Sequence, residues 1–289
     1  MAVLEIEDDV ALVSPVRKRR RVGGLFIAAV GWIVLIGLAA VLAGALPIAS
    51  PTDMDILARR APPSAEHLLG TDQLGRDELS RLIYGARISL TVGLLAPVIG
   101  VLFGGSLGML AGYFRGRFET LTVGGVDVLL AFPPLVFVLA VTAYLGQSAL
   151  NITLVIGVLS IPAFTRVARA VTLSLSEREF VTAARALGAT HSRILLRELL
   201  PNVALPLLAF FLLGVAVTIV VEGALSFLGL GVPPPAPSWG SMIGEGRENL
   251  DIAPWLAFLP ALFMFLSVLA FNIVGDTLRA LTDPRPGAL

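Results

Sequence analysis

The chain has 289 residues, of which 56% are hydrophobic and 15% charged, with a mean hydropathy of +0.88 and a formal net charge of zero. A water-soluble domain carries about 25% charged residues, so this composition points to a protein that lies mostly in lipid. Zero net charge gives no footing for a nucleic-acid partner. The absence of Cys excludes a disulfide frame or a thiolate metal site. His67 and His191 stand far apart in sequence, which excludes a His-rich metal cluster. Lys18, the sole lysine, is followed by Arg19. A phosphate-binding loop needs Gly-Lys-Ser/Thr, so any ATP chemistry must belong to another subunit.

Residues 1–22 form a polar tail ending in a basic cluster over 17–21. Residues 23–46 follow without a charge, long enough to cross a hydrocarbon core of about 30 Å. A signal peptide has an apolar region of only about 7–15 residues, so this stretch is read as an uncleaved first span with the basic tail on the cytoplasmic side. Residues 47–87 form an extracytoplasmic segment punctuated by Pro51, Pro62 and Pro63. Within it, Leu79, Leu82, Ile83 and Ala86 repeat at helical spacing, which predicts a short amphipathic helix at the membrane surface. Trp239, much later in the chain, is likewise assigned to a membrane interface.

The second span is read from Ile88 to Gly112. Gly100, Gly104, Gly108 and Gly112 recur every four residues, a spacing that lets helix backbones approach closely. Gly104-Gly105-Ser106-Leu107-Gly108 fits a nucleophile-elbow pattern, but that motif needs a strand–turn–helix context and partner His and acid residues, and none is evident. The third span runs from about Leu121 to Gly146, with Asp127 near its inner end and Phe132-Pro133-Pro134 just beyond. The fourth covers Ile152 to about Val171, with a kink expected at Pro162. The fifth covers about Val203 to Val221 and leads into Glu222, a turn rich in Gly and Pro, and Trp239. The sixth covers Trp255 to Val274, and 277–289 form a short tail.

Asp127 and Glu222 are the two acids that approach membrane depth, and both are candidates for the pathway or its gate. For Asp127 the competing reading is an interfacial cap or a partner for a neighbouring Arg. For Glu222 it is a cap on the turn that follows.

Residues 176–202 form the longest charge-rich interruption in the second half of the chain. At 100° per residue, Phe180, Ala183, Ala184 and Leu187 share one stripe, while Arg178, Thr182 and Arg185 face away. Gly188 stops that helix. A second short helix follows, with Leu195, Leu196 and Leu199 on one side and Arg193 and Arg197 on the other, ended by Pro201. Lys and Arg are in excess in the proposed inside segments, so six spans with both ends cytoplasmic are self-consistent and place this loop in the cytoplasm.

Helix, Gly break, helix and Leu200-Pro201 between membrane spans resemble the coupling loop of ABC-importer permeases, with matching residues Ala183, Ala184, Gly188, Leu200 and Pro201. Thr182 stands where that motif carries its Glu. Leu69-Gly70-Thr71-Asp72, Leu74-Gly75-Arg76-Asp77 and the block from Glu222 to Gly240 resemble the dipeptide/oligopeptide/nickel branch of the same family. Asn272, Gly275, Asp276, Arg279 and Asp283-Pro284-Arg285 resemble its C-terminal signature. Gly124 replaces a basic residue usual three places before Asp127.

The resemblance implies an all-α integral membrane protein of six transmembrane helices, with the type I ABC importer permease fold. The permease core spans 88–276 and contains the coupling loop. It implies import of di- or oligopeptides across a bacterial inner membrane by alternating access, with no catalytic residue, metal or cofactor on this chain. Partners implied are a sister permease, two ATP-binding cassette ATPase subunits that carry ATP and Mg, an extracytoplasmic binding protein, and lipid. Phe180, Thr182, Ala183, Ala184, Arg185, Leu187, Gly188, Leu200 and Pro201 would form the ATPase-coupling site. A nickel-complex permease and an ion-driven secondary transporter remain as alternatives.

Overall fold

The computed structural model describes residues 23–282. The basic tail 1–22 and the Asp283-Pro284-Arg285 end of the C-terminal signature lie outside them. The described chain is helical, with a single antiparallel bridge between Thr71 and Asp77. The helices are α1 (Gly24–Leu42), α2 (Glu78–Ile99), α3 (Ser106–Phe114), α4 (Gly116–Leu130), α5 (Pro134–Leu145), α6 (Ala149–Ser176), α7 (Glu179–Ala186), α8 (His191–Arg193), α9 (Leu200–Phe227), α10 (Trp239–Gly246) and α11 (Trp255–Thr282). Two π-helical turns, Gly100–Gly105 and Ile194–Leu199, join α2 to α3 and α8 to α9.

Among the described residues, five runs are long and apolar enough to cross a membrane: Gly24–Leu42, Glu78–Phe114, Ala149–Ser176, His191–Phe227 and Trp255–Leu281. A sixth crossing is obtained by joining α4 and α5, which are bent by 78° at their junction. The expected third span is therefore a broken pair. The break falls at Phe132-Pro133-Pro134, where each residue before a proline is pushed out of helical geometry and Pro134 opens α5. Pro162, where a kink was expected, lies within the unbroken helix α6.

The glycine stripe does what its spacing predicts. A Cβ placed on Gly104, Gly108 or Gly112 would run into the carbonyl oxygens of Ile161, Thr165 and Arg169 respectively. Two four-residue rows thus lie in register, and α3 sits directly on the backbone of α6.

The glycine–proline turn and α10 fold back into the bundle. Ser238 caps α10 reciprocally with Ser241, and Gly240 packs against the backbone of Gly223 in α9. Trp239 is not an interfacial residue: it is 0% exposed, and its indole N–H donates to the Leu82 carbonyl at 3.1 Å. Leu82 and Ala86 bury beside it, with Ile219, Met242 and Phe271. The short amphipathic helix expected here forms the first two turns of α2, with Leu82 and Ala86 buried in the bundle and Leu79 and Ile83 partly exposed.

Before α2, residues 49–77 are tied down by polar contacts. Asp77 caps α2, accepting from the Ser80 N–H at 2.8 Å, and sits 3.0 Å from His67 Nδ1. Arg76 bridges Asp72 at 2.6 Å and Glu245 of α10 at 2.9 Å, and Arg81 donates to the same Glu245 oxygen at 2.9 Å.

Candidate functional site

The 176–202 loop is anchored through one face of α7. Val181 is 0% exposed and packs with Met109 and Tyr113 of α3 and with Ile194, Leu195 and Leu199, and Ala184 leans on the same cluster. The predicted stripe is therefore split. Ala184 turns inward, whereas Phe180, Ala183 and Leu187 face out, with Leu187 88% exposed. Sequence reasoning missed Val181 as the anchor. The signal lay in the i, i+3 pair Val181/Ala184, which marks a second apolar edge on a helix only two turns long.

Gly188 ends α7 at φ 77°. Its N–H reaches the Arg185 carbonyl at 2.9 Å and the Ala189 N–H reaches the Ala184 carbonyl at 3.0 Å. This is a Schellman closure, which needs a left-handed residue and favours Gly there. Thr190 then caps α8 by accepting from the Arg193 N–H.

The expected stop at Pro201 does not occur. The helix that begins at His191 passes through the π-helical turn and Pro201 into α9, as one run to Phe227. Pro201 lies inside that run, directly after the π-helical turn Ile194–Leu199, and a local π adjustment of this kind lets a helix carry a residue that has no N–H to donate. Leu195 and Leu199 bury and Leu196 stays exposed, so the expected three-leucine face is divided as well.

Thr182 is exposed on α7 and lines a cleft of about 380 Å³ with Tyr113, Arg115, Ser176, Glu177 and Arg185. Arg185 does not simply face solvent, because its guanidinium lies 5.4 Å over the Tyr113 ring. Nearby ion pairs link the flanking helices: Arg115 with Glu177 at 2.9 Å, and Arg169 with Glu119.

Asp127 pairs with Arg166 of α6 at 2.7 Å, and both side chains are about half exposed. That geometry matches the neighbouring-Arg reading. Glu222 is 1% exposed in α9. It accepts from Ser89 of α2 at 2.8 Å and from Ser226 at 2.6 Å, and Ser89 Oγ in turn accepts from the Trp239 N–H at 3.2 Å. Glu222 is thus the centre of a knot joining α2, α9 and α10. These two acids lie in separate contacts and do not converge with the α7 residues on one site.

Among the described residues, no group of three or more His, Cys, Asp and Glu side chains could hold a metal ion. Ser106 of the elbow-like motif lies in the helical run packed on α6, without the strand–turn context that a nucleophile elbow needs.

The family model of the binding-protein-dependent transport system inner membrane component matches residues 104–287. The chain is 38% identical to the dipeptide transport system permease protein DppC of Alkalihalophilus pseudofirmus, over 96% of this chain and 93% of that one. It is 42% identical to the glutathione transport system permease protein GsiD of Pectobacterium atrosepticum, over 77% and 74%. An inward-facing structure of the MetNI methionine ABC transporter aligns with a TM-score of 0.56 at 18% identity, over 70% of this chain and 97% of that chain, which bears on the fold alone. The chain belongs to the family of binding-protein-dependent transport system inner membrane components: it is a multi-pass ABC-importer permease subunit, not an enzyme.

Proposed function

We propose that this permease imports short peptides, and that α7 is the element through which ATPase subunits drive it. The observation that carries this reading is the two-sided build of α7. Val181 and Ala184 fix it to the bundle, while Phe180, Ala183 and Leu187 are presented outward on a helix closed by Gly188. An apolar face on a short, firmly seated helix suits insertion into a groove. Arg178 beside it supplies rim charge for register. Leu200 and Pro201 open α9, which continues the run from His191 and carries this motion onward.

The assembly we infer pairs this chain with a sister permease, so that the path forms between them. Two ATPase subunits carrying ATP and Mg sit below α7. The excess of Lys and Arg in the segments beside the loop favours placing that end in the cytoplasm. The 49–77 segment then faces the opposite side, where a binding protein delivers substrate. Asp127 serves as the partner of Arg166, joining α4 to α6, and Glu222 serves to hold α10 in place.

The dipeptide and glutathione permeases among the relatives support a peptide cargo, and the glutathione relatives favour a small γ-linked tripeptide as the second choice. Proteoliposomes of the assembled complex with its binding protein test this. ATP-dependent uptake of labelled dipeptides, or of glutathione, is expected. Uptake that follows an imposed proton gradient and ignores ATP would overturn the reading in favour of an ion-driven transporter.

A further inference from the structure

Tyr113, in the last turn of α3, meets α7, α8 and the π-helical turn of the 176–202 loop. It is 7% exposed. Its ring packs with Val181 of α7 and with Ile194, Leu195 and Leu199 at the head of the run into α9. Its hydroxyl is hydrogen-bonded to His191 Nδ1 of α8 at 2.8 Å, and the Arg185 guanidinium of α7 lies 5.4 Å over its face. The His191 ring also sits edge-on to the Tyr113 ring, with centroids 5.6 Å apart.

The position of this residue in the topology is what gives these contacts weight. Tyr113 is the penultimate residue of the 37-residue run Glu78–Phe114, and His191 opens the 37-residue run His191–Phe227. One side chain therefore stands where α7 meets the two longest helical runs of the molecule. Apolar packing holds α7 close but permits rotation. A hydrogen bond and a cation–π contact are directional, so together they fix the angle of α7 against both runs.

We propose that Tyr113 is the positioning residue of the coupling device, pinning α7, α8 and α3 so that a movement imposed on α7 displaces both long runs together. This deepens the reading of α7 as the ATPase contact and rests on it. Tyr113 itself is buried behind α7, acts through Arg185 and His191, and is not part of the proposed contact face.

The absence of Cys from the chain makes the test direct. Spin labels are placed at Ala186→Cys, exposed on α7 and outside the proposed contact face, and at Leu107→Cys on α3, and the distance between them is measured in the assembled complex, nucleotide-free and trapped with ADP and vanadate. The native chain is expected to give one narrow distance that is the same in both states. Tyr113→Leu is expected to broaden it and make it shift on trapping, while binding-protein-stimulated ATP hydrolysis falls by roughly two- to thirtyfold, the range for residues that carry coupling. Tyr113→Phe, which keeps the ring under Arg185, is expected to retain most of the native distance. Arg185→Gln leaves the buried cluster whole and is expected to broaden the distance as well, an effect that a mere ATPase contact would not produce.

A native distance that itself shifts on trapping overturns the pin. So does a Tyr113→Leu chain with the native distance and native stimulation. Failure of the native chain to bind ATPase subunits would instead remove the reading of α7 beneath the proposal, and that result is seen before any variant is made.

Discussion

At the scale of single residues, packing direction decides what a local pattern becomes. The glycine stripe was legible because its four-residue period alone requires a partner backbone, whatever that partner is. Gly108→Leu tests it: the added side chain starts against the Thr165 carbonyl and cannot be accommodated by a rotamer change. We expect a loss of about 1–3 kcal/mol, read as a lower thermal midpoint in detergent, and an unchanged midpoint would remove the α3–α6 contact from the account.

Trp239, Val181 and the Asp127–Arg166 pair were less legible. A Trp beside a Gly–Pro turn at a span end carries an interfacial signature, and its burial depends on α10 folding back against Leu82, 157 positions away in sequence. The Asp127 partner lies 39 positions on, across the broken α4–α5 pair. Glu222 could be placed at membrane depth from sequence, but its role follows from Ser89, which only the fold brings to it.

At the scale of elements, the sequence located helices well and their breaks less well. Pro201 was read as a stop, yet the helix runs on through it directly after a π-helical turn, whereas Pro162, read as a kink within a span, does lie inside α6. Pro133-Pro134 does break the chain, since two adjacent prolines constrain both neighbouring residues. The π-helical turns left no readable mark, because they use the same residues as α-helix.

The phase of α7 is the consequential case. Eight residues hold too few apolar positions to define one face, so the tertiary anchor Val181 sets the orientation. Val181→Asp buries a charge in the cluster with Tyr113 and Leu199 and is expected to cost about 3 kcal/mol at that contact. Limited trypsin digestion of the variant is expected to cut faster at Arg178, Arg185 and Arg193, with the remaining bundle cleaved at the native rate. Equal cutting in native and variant chains would show that Val181 does not fasten α7.

At the scale of the whole molecule, the architecture divides into a fastened part and an open part. Helices α1, α2, α9, α10 and α11 share one apolar core, and the Asp72–Arg76–Glu245 contacts tie the 49–77 segment to it. At the other end of the long runs, α7 is joined to the spans through one small cluster and presents an apolar face to its surroundings. Five spans, and a sixth if the bent α4–α5 pair is one crossing, were legible from hydropathy, because lipid imposes length and apolarity on any crossing helix. Which faces would meet the proposed sister permease was not legible, because helix contacts with protein and with lipid use the same apolar residues.

The central claim is that α7 is where ATPase subunits act, and co-purification from detergent tests it most directly. The native complex is compared with Leu187→Glu, which places a charge on the outward face, and with Gly188→Pro, whose fixed negative φ cannot adopt the 77° of the turn. The account predicts that the native chain brings down the ATPases and the sister permease, and that both variants keep the sister permease while losing most of the ATPase. Retention of the ATPases by both variants would contradict it and place the contact elsewhere on the chain.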